Sequence, residues 1–143
     1  MMGVAGGIPK RIWSVQLRRL KVGKKAEVLI QVRRVYDPKK RGDGTRVLVD
    51  RIWPRGLTKV KADLHEWCKE VAPSTELRKW YNHDRRRFKE FSRRYHLELK
   101  QPERSDALGH LRELAEKRTL TLLTATKEPD ISEAEVLAEM LRH

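Results

Sequence analysis

One cysteine, Cys68, is all the thiol the chain carries. A lone thiol closes no internal disulfide and leaves a cysteine-built zinc site short of ligands, which favours a reducing compartment, so the cytoplasm is the expected location. Long apolar runs are also missing. Stretches such as Val47 to Val49 and Leu120 to Leu123 fall far short of the roughly 20 residues that cross a bilayer, so no membrane partner is expected. There is no Walker loop, dinucleotide fingerprint, zinc-finger spacing or serine-hydrolase elbow, and the cofactor is left unassigned. His65 and Cys68 stand one helical turn apart, with His83 and Asp84 downstream, but the ligand set is incomplete and no metal site is assigned. Cys68 falls on an apolar stripe, where a free cysteine behaves as a small, inert hydrophobe.

What the chain has in excess is positive charge, +13 over 143 residues. Its distribution matters more than its total. Residues 1–28 carry +6 and the remainder +7, so the body is only moderately basic. The first 28 residues, from Met1-Met2-Gly3 through a basic run from Lys10 to Lys25, read as a flexible extension. A targeting peptide, a nucleic-acid arm and sequence upstream of the true start codon are the other readings. Residues 29–143 read as one domain, since no internal repeat or long linker divides them. Hydrophobic and charged residues, at 38% and 37%, suit a globular core beneath a heavily charged surface.

Strands are expected at 29–36, 46–53 and 119–126, each with β-branched or apolar centres bounded by Pro, Gly or polar segments. Leu64, Trp67, Cys68 and Val71 recur at the spacing of one helix face, with Asp63 as cap and Pro73 as stop. A shorter turn capped by Ser74 carries Leu77 and Trp80. The stripe Phe88, Phe91, Tyr95 and Leu99 predicts a strongly amphipathic helix, and another follows Ser105. Ser132-Glu133-Ala134-Glu135 is a capping-box sequence that opens the last helix. The expected fold is α/β: a small three-stranded sheet, mixed or mainly parallel, with packed helices.

The run Arg46-Val47-Leu48-Val49-Asp50-Arg51-Ile52-Trp53-Pro54-Arg55-Gly56-Leu57 closely resembles the signature strand of the YeaO-like family of domains of unknown function. Trp67, Ala72-Pro73-Ser74, Leu77-Arg78-Lys79-Trp80, His83-Asp84, Phe91, Tyr95 and Glu98-Leu99 follow in that family's order, and the resemblance runs from about Ile30 to Leu141. It implies an α/β fold and a set of residue candidates, without fixing a chemistry. The chain departs from the family pattern in its N-terminal extension. It also has Thr124-Ala125-Thr126-Lys127 where relatives generally carry Tyr-Ala-Ala-Arg, and Ile131-Ser132 where relatives often carry His-Asn.

Asp50, Arg51, Arg55, Ser74 and Arg78 are expected at the edge of the sheet, where open α/β folds bind ligands. Lys127 lies past the end of the last strand and joins the candidate ligand-binding set. Planar guanidinium groups grip phosphate or carboxylate with two donors, and Ser74 at a helix start adds a hydroxyl beside exposed N–H groups. The expected partner is therefore a small phosphorylated or carboxylated ligand. Asp50 is the candidate catalytic residue, as general base, or else it orients an arginine. The plainer alternative is an Asp50–arginine ion-pair network that holds the Trp53-Pro54-Arg55 turn. A second function is nonspecific nucleic-acid binding by the N-terminal arm with Arg85, Arg86, Arg87, Lys89, Arg93 and Arg94. Against it, Phe88, Phe91 and Tyr95 have core spacing, which takes them away from base stacking. Oligomeric state is not legible in the sequence.

Overall fold

A computed structural model describes residues 29–143; the N-terminal extension expected over 1–28 lies outside them. Four strands form one sheet: β1 (Ile30–Arg34), β2 (Thr45–Leu48), β3 (Glu66–Trp67) and β4 (Leu120–Thr124). Their spatial order is β1-β4-β2-β3, and every neighbouring pair is parallel. Five helices accompany them: α1 (Lys59–Ala62), α2 (Thr75–Tyr81), α3 (Phe88–Glu98), α4 (Pro102–Lys117) and α5 (Glu133–Arg142). The α/β class and the parallel sheet agree with the sequence reading, and the strand count rises from three to four.

The extra strand lies where the apolar spacing of Leu64, Trp67, Cys68 and Val71 predicts a helix. Instead, α1 stops at Asp63 in the left-handed region (φ 49°), and Glu66 and Trp67 pair with Val47 and Leu48. The backbone groups a helix would bond internally go to β2: His65 N donates to Arg46 O at 2.9 Å and Cys68 N to Leu48 O at 2.8 Å. A half-buried sheet edge satisfies those donors and seats Trp67 at once, so tertiary pairing overrides a four-residue periodicity. Asp63 accordingly ends a helix rather than starting one.

Alternation along the central strands divides the core. Val47, Val49, Leu120 and Leu122 join Phe91, Tyr95, Leu111 and Leu137 in the main cluster beneath the helices. Leu48 and Leu123 meet Val35 on the other side, where Trp53, Leu57, Leu64 and Trp67 cover them. Both faces of β2 and β4 are therefore buried, as parallel strands require. All five residues of β4 are buried.

The return from β1 to β2 is short, residues 35–44, and is pinned by one buried carboxylate. Asp43 accepts two bonds from Arg33 at 2.8 Å, one from Arg46 at 2.6 Å and one from Lys40 N at 3.0 Å. Arg46, only 1% exposed, spends its other donors on Asp63 O and Ala62 O. Burial alone would raise the Asp43 carboxyl, but the Lys40 N–H and the two guanidinium groups outweigh it and leave it below the usual carboxylate value. Gly44 follows with φ +64°, where a β-carbon would run into the Thr119 backbone.

Candidate functional site

Parallel strands all end at the same edge of the sheet, and ligand clefts of open α/β folds form beyond that edge. Here the edge opens into a cavity of about 420 Å³. The segment after β2 supplies Asp50, Arg51, Trp53 and Arg55, the α2 region supplies Arg78 and Tyr81, and the segment after β4 supplies Ala125 and Thr126. Phe91 closes the wall from α3, and Glu133 faces in from the first turn of α5.

The 50–57 turn is held by aromatic donors. Trp67 Nε1 donates to Asp50 O and Trp53 Nε1 to Leu57 O, both at 2.7 Å, while the Tyr36 hydroxyl donates to Arg55 O at 2.8 Å. The two indoles meet edge to face with centroids 5.3 Å apart, a favoured aromatic geometry. Leu57 N closes on Pro54 O with Gly56 at φ +74°, a turn whose third residue needs positive φ. The ion-pair network offered as the plainer account of this segment is not what fixes it. Among the described residues, Asp50 makes no ion pair within 4 Å with any arginine.

Asp50 instead accepts from Ala125 N at 2.8 Å, tying the end of β2 to the end of β4. Its other neighbour is the Glu133 carboxyl. Burial first, and the charge and hydrogen bonding of Asp50 second, hold Glu133 well above its ordinary 4.5. Glu133 is therefore the acid whose neutral form the fold favours, and as a neutral carboxyl it donates towards Asp50. The same cavity is lined by three arginines, half-buried Arg51 and exposed Arg55 and Arg78, whose guanidinium groups have no hydrogen-bond or ion-pair partner among the described residues; the Arg51 Nε is buried without one. Guanidinium donors that the acids of the same cavity do not bond stand open to an external oxyanion.

The apolar wall comes from Tyr81 and Phe91, stacked at 4.2 Å between centroids. Tyr81 donates its hydroxyl to Ile131 O at 2.6 Å, and burial pushes its phenol up to about 12. It is thus a neutral anchor for the segment that delivers Glu133. Beside it, Asn82 and His83 are both left-handed, at φ 46° and 55°, and consecutive non-glycine residues in that region are costly. His83 faces Thr126, with 3.4 Å between Nδ1 and Oγ1.

The structure thus brings together Asp50, Arg51, Arg55 and Arg78 from the sequence-derived set. Ser74 is placed elsewhere: its hydroxyl donates to Glu98 Oε2 at 2.5 Å and accepts from Leu77 N at 3.1 Å, capping α2. Lys127 is exposed and does not line the cavity. His83 and Asp84 do not act on each other; Asp84 caps the following turn and holds Arg86 at 3.1 Å. Sequence reasoning missed Glu133, whose capping-box context gives a sufficient helical explanation, and assigned Phe91 to the core alone. Cys68 is 4% exposed, and burial pushes its thiol up to about 11, in keeping with an inert core residue.

The basic helix differs from the cleft. Arg93 and Arg94 bond Glu90 at 2.8 Å, Arg85 bonds Asp130 at 3.2 Å, and Arg87 and Arg94 lie over the Trp80 ring at 5.2 and 4.2 Å. Most of this charge is answered within the fold. Among the described residues no group of three or more His, Cys, Asp or Glu side chains is arranged to hold a metal, and no helix is long and apolar enough to cross a membrane.

An all-parallel α/β sheet with a mixed-charge cleft beyond its strand ends defines the class of protein. Residues 29–143 match the family described as the inactive DUF488-N3 subclade. An uncharacterised protein of Mycobacterium tuberculosis is 48% identical over 115 residues, covering 80% of this chain and 95% of that one. The uncharacterised protein YeaO of Escherichia coli is 45% identical over 113 residues, covering 79% and 96%. The chain belongs to this YeaO-like family. No solved structure matches it.

Proposed function

We propose that the cleft is a receptor site for a small organic anion, phosphorylated or carboxylated, which Arg51, Arg55 and Arg78 grip while Tyr81 and Phe91 pack against its body. The observation that carries this is the set of three arginines that line one cavity with Asp50 and Glu133 yet bond to neither, the Arg51 Nε being buried without a partner. Guanidinium–oxyanion pairs are short and bidentate, and a partly water-excluded cavity strengthens them.

The family description, an inactive subclade, favours binding without turnover. In this reading Asp50 is an acceptor and a tie between strands rather than a general base. The nucleic-acid alternative has less support, since most cations of α3 already have acidic or aromatic partners.

A thermal-shift screen of phosphorylated and carboxylated metabolites, on the full chain and on Arg55→Ala and Arg78→Ala at matched ionic strength, tests the reading. A ligand at about 100 times its Kd adds roughly 2.7 kcal/mol of apparent stability. Stabilisation by some anion, reduced in both variants, is expected. Stabilisation only by DNA or RNA, steeply salt-dependent and indifferent to Arg55, contradicts the proposal. Hydrolysis of a phosphate ester that Asp50→Asn abolishes would restore the catalytic role of Asp50.

A further inference from the structure

The cleft is lined by two sets of opposite charge that make no ion pair with each other. Asp50 and Glu133 form one set, tied to Ala125 N and to the start of α5. Arg51, Arg55 and Arg78 line the same cavity, with no ion pair joining the two sets within 4 Å. Here the Asp50 carboxylate is held away by its bond from the backbone and its bond with Glu133, and the arginines are held away by the aromatic-pinned turn and by α2. The separation is therefore built into the scaffold.

Resting on the anion reading above, we infer that the occupant is a zwitterion: a small molecule whose oxyanion meets the arginines while an ammonium or amidinium nitrogen meets the Asp50–Glu133 pair. An anion alone leaves the acid pair without a partner and brings negative charge towards Asp50. A cationic nitrogen removes both penalties, because it donates to the Asp50–Glu133 pair and sets a positive charge beside it. The apolar wall of Tyr81, Phe91 and Trp53 gives the body between the two charges a dry surface. The chemical class is an amino carboxylate or an amino phosphate with a hydrocarbon or aromatic body.

Matched pairs separate this inference from the anion reading. Phenylalanine, tyrosine, phosphotyrosine and phosphoethanolamine are titrated calorimetrically into the full chain, each beside its deaminated counterpart. A charged hydrogen bond contributes about 1.5–3 kcal/mol, so the aminated member of each binding pair is expected to bind about 10-fold tighter or better. Asp50→Asn and Glu133→Gln, each checked for a wild-type circular-dichroism spectrum, are expected to remove that advantage while leaving the deaminated partner bound. Equal binding within pairs overturns the zwitterion and leaves the anion site standing. An amine advantage that survives both variants also overturns it, by placing the nitrogen elsewhere. Absence of binding by every member, with no effect of Arg55→Ala on any metabolite in the screen, removes both readings.

Discussion

Replacing Glu133 by glutamine removes one titrating group from the cleft while keeping a neutral side chain that donates towards Asp50. In the unfolded chain Glu133 ionises near its ordinary 4.5; in the folded chain burial and Asp50 hold it well above that. Between the two values the folded state carries the extra proton. Stability from this group is therefore full below 4.5 and is lost as pH rises through the folded value. One such proton gives a slope of at most about 1.4 kcal/mol per pH unit. Glu135 is also raised, by burial first, and contributes in the same direction, but it is present in both proteins and cancels in the difference. Urea unfolding of wild type and Glu133→Gln in steps from pH 4.5 to pH 9 should show the wild type losing ground to the variant over that window. A difference that stays flat with pH would mean that Glu133 is ionised in the fold across the window and would refute the raised carboxyl.

Two further perturbations act on the stability of the short β1–β2 return. Asp43→Ala leaves Arg46 buried with a lost partner, and removing one member of a buried pair costs about 3–5 kcal/mol, to be read as a drop in urea midpoint. Because the Asp43 carboxyl is lowered from its ordinary 3.8, its contribution is present above that pH and lost as acid protonates it, so the variant's deficit should shrink in acid. Gly44→Ala sets a methyl against Thr119 at a positive φ and should cost more than about 1 kcal/mol; a variant as stable as wild type would mean that the backbone there relaxes freely.

The central strands were readable because their apolar centres are bounded by Pro54, by Asp37-Pro38 and by the polar segment after Thr126. The strand at Glu66–Trp67 was not, since two residues carry no periodicity of their own and their pairing is decided by β2 from 19 residues away. Arg51, Arg55 and Arg78 stood out by position, directly past a strand or on a helix after a turn. Ser74 fitted the same pattern, but a carboxylate 24 residues later, Glu98, takes its hydroxyl. Glu133 was hidden by a sufficient local explanation: an acid in the first turn of a helix suits the dipole, and nothing local reveals that Asp50 lies against it. Asp43, in a segment of charged and glycine residues, was equally invisible as a buried node.

Backbone amide NMR of the isotopically labelled full chain, titrated with phenyl phosphate, tests the central claim most directly, because it locates a weak anion without foreknowledge of the natural ligand. Shifts at residues 50–55, at 78–83 and at 124–133 that saturate with concentration, and that Arg55→Ala weakens, are the expected result. Shifts confined to the surface of α3, or scattered and linear in concentration with no change in the variant, would contradict an anion site in the cleft.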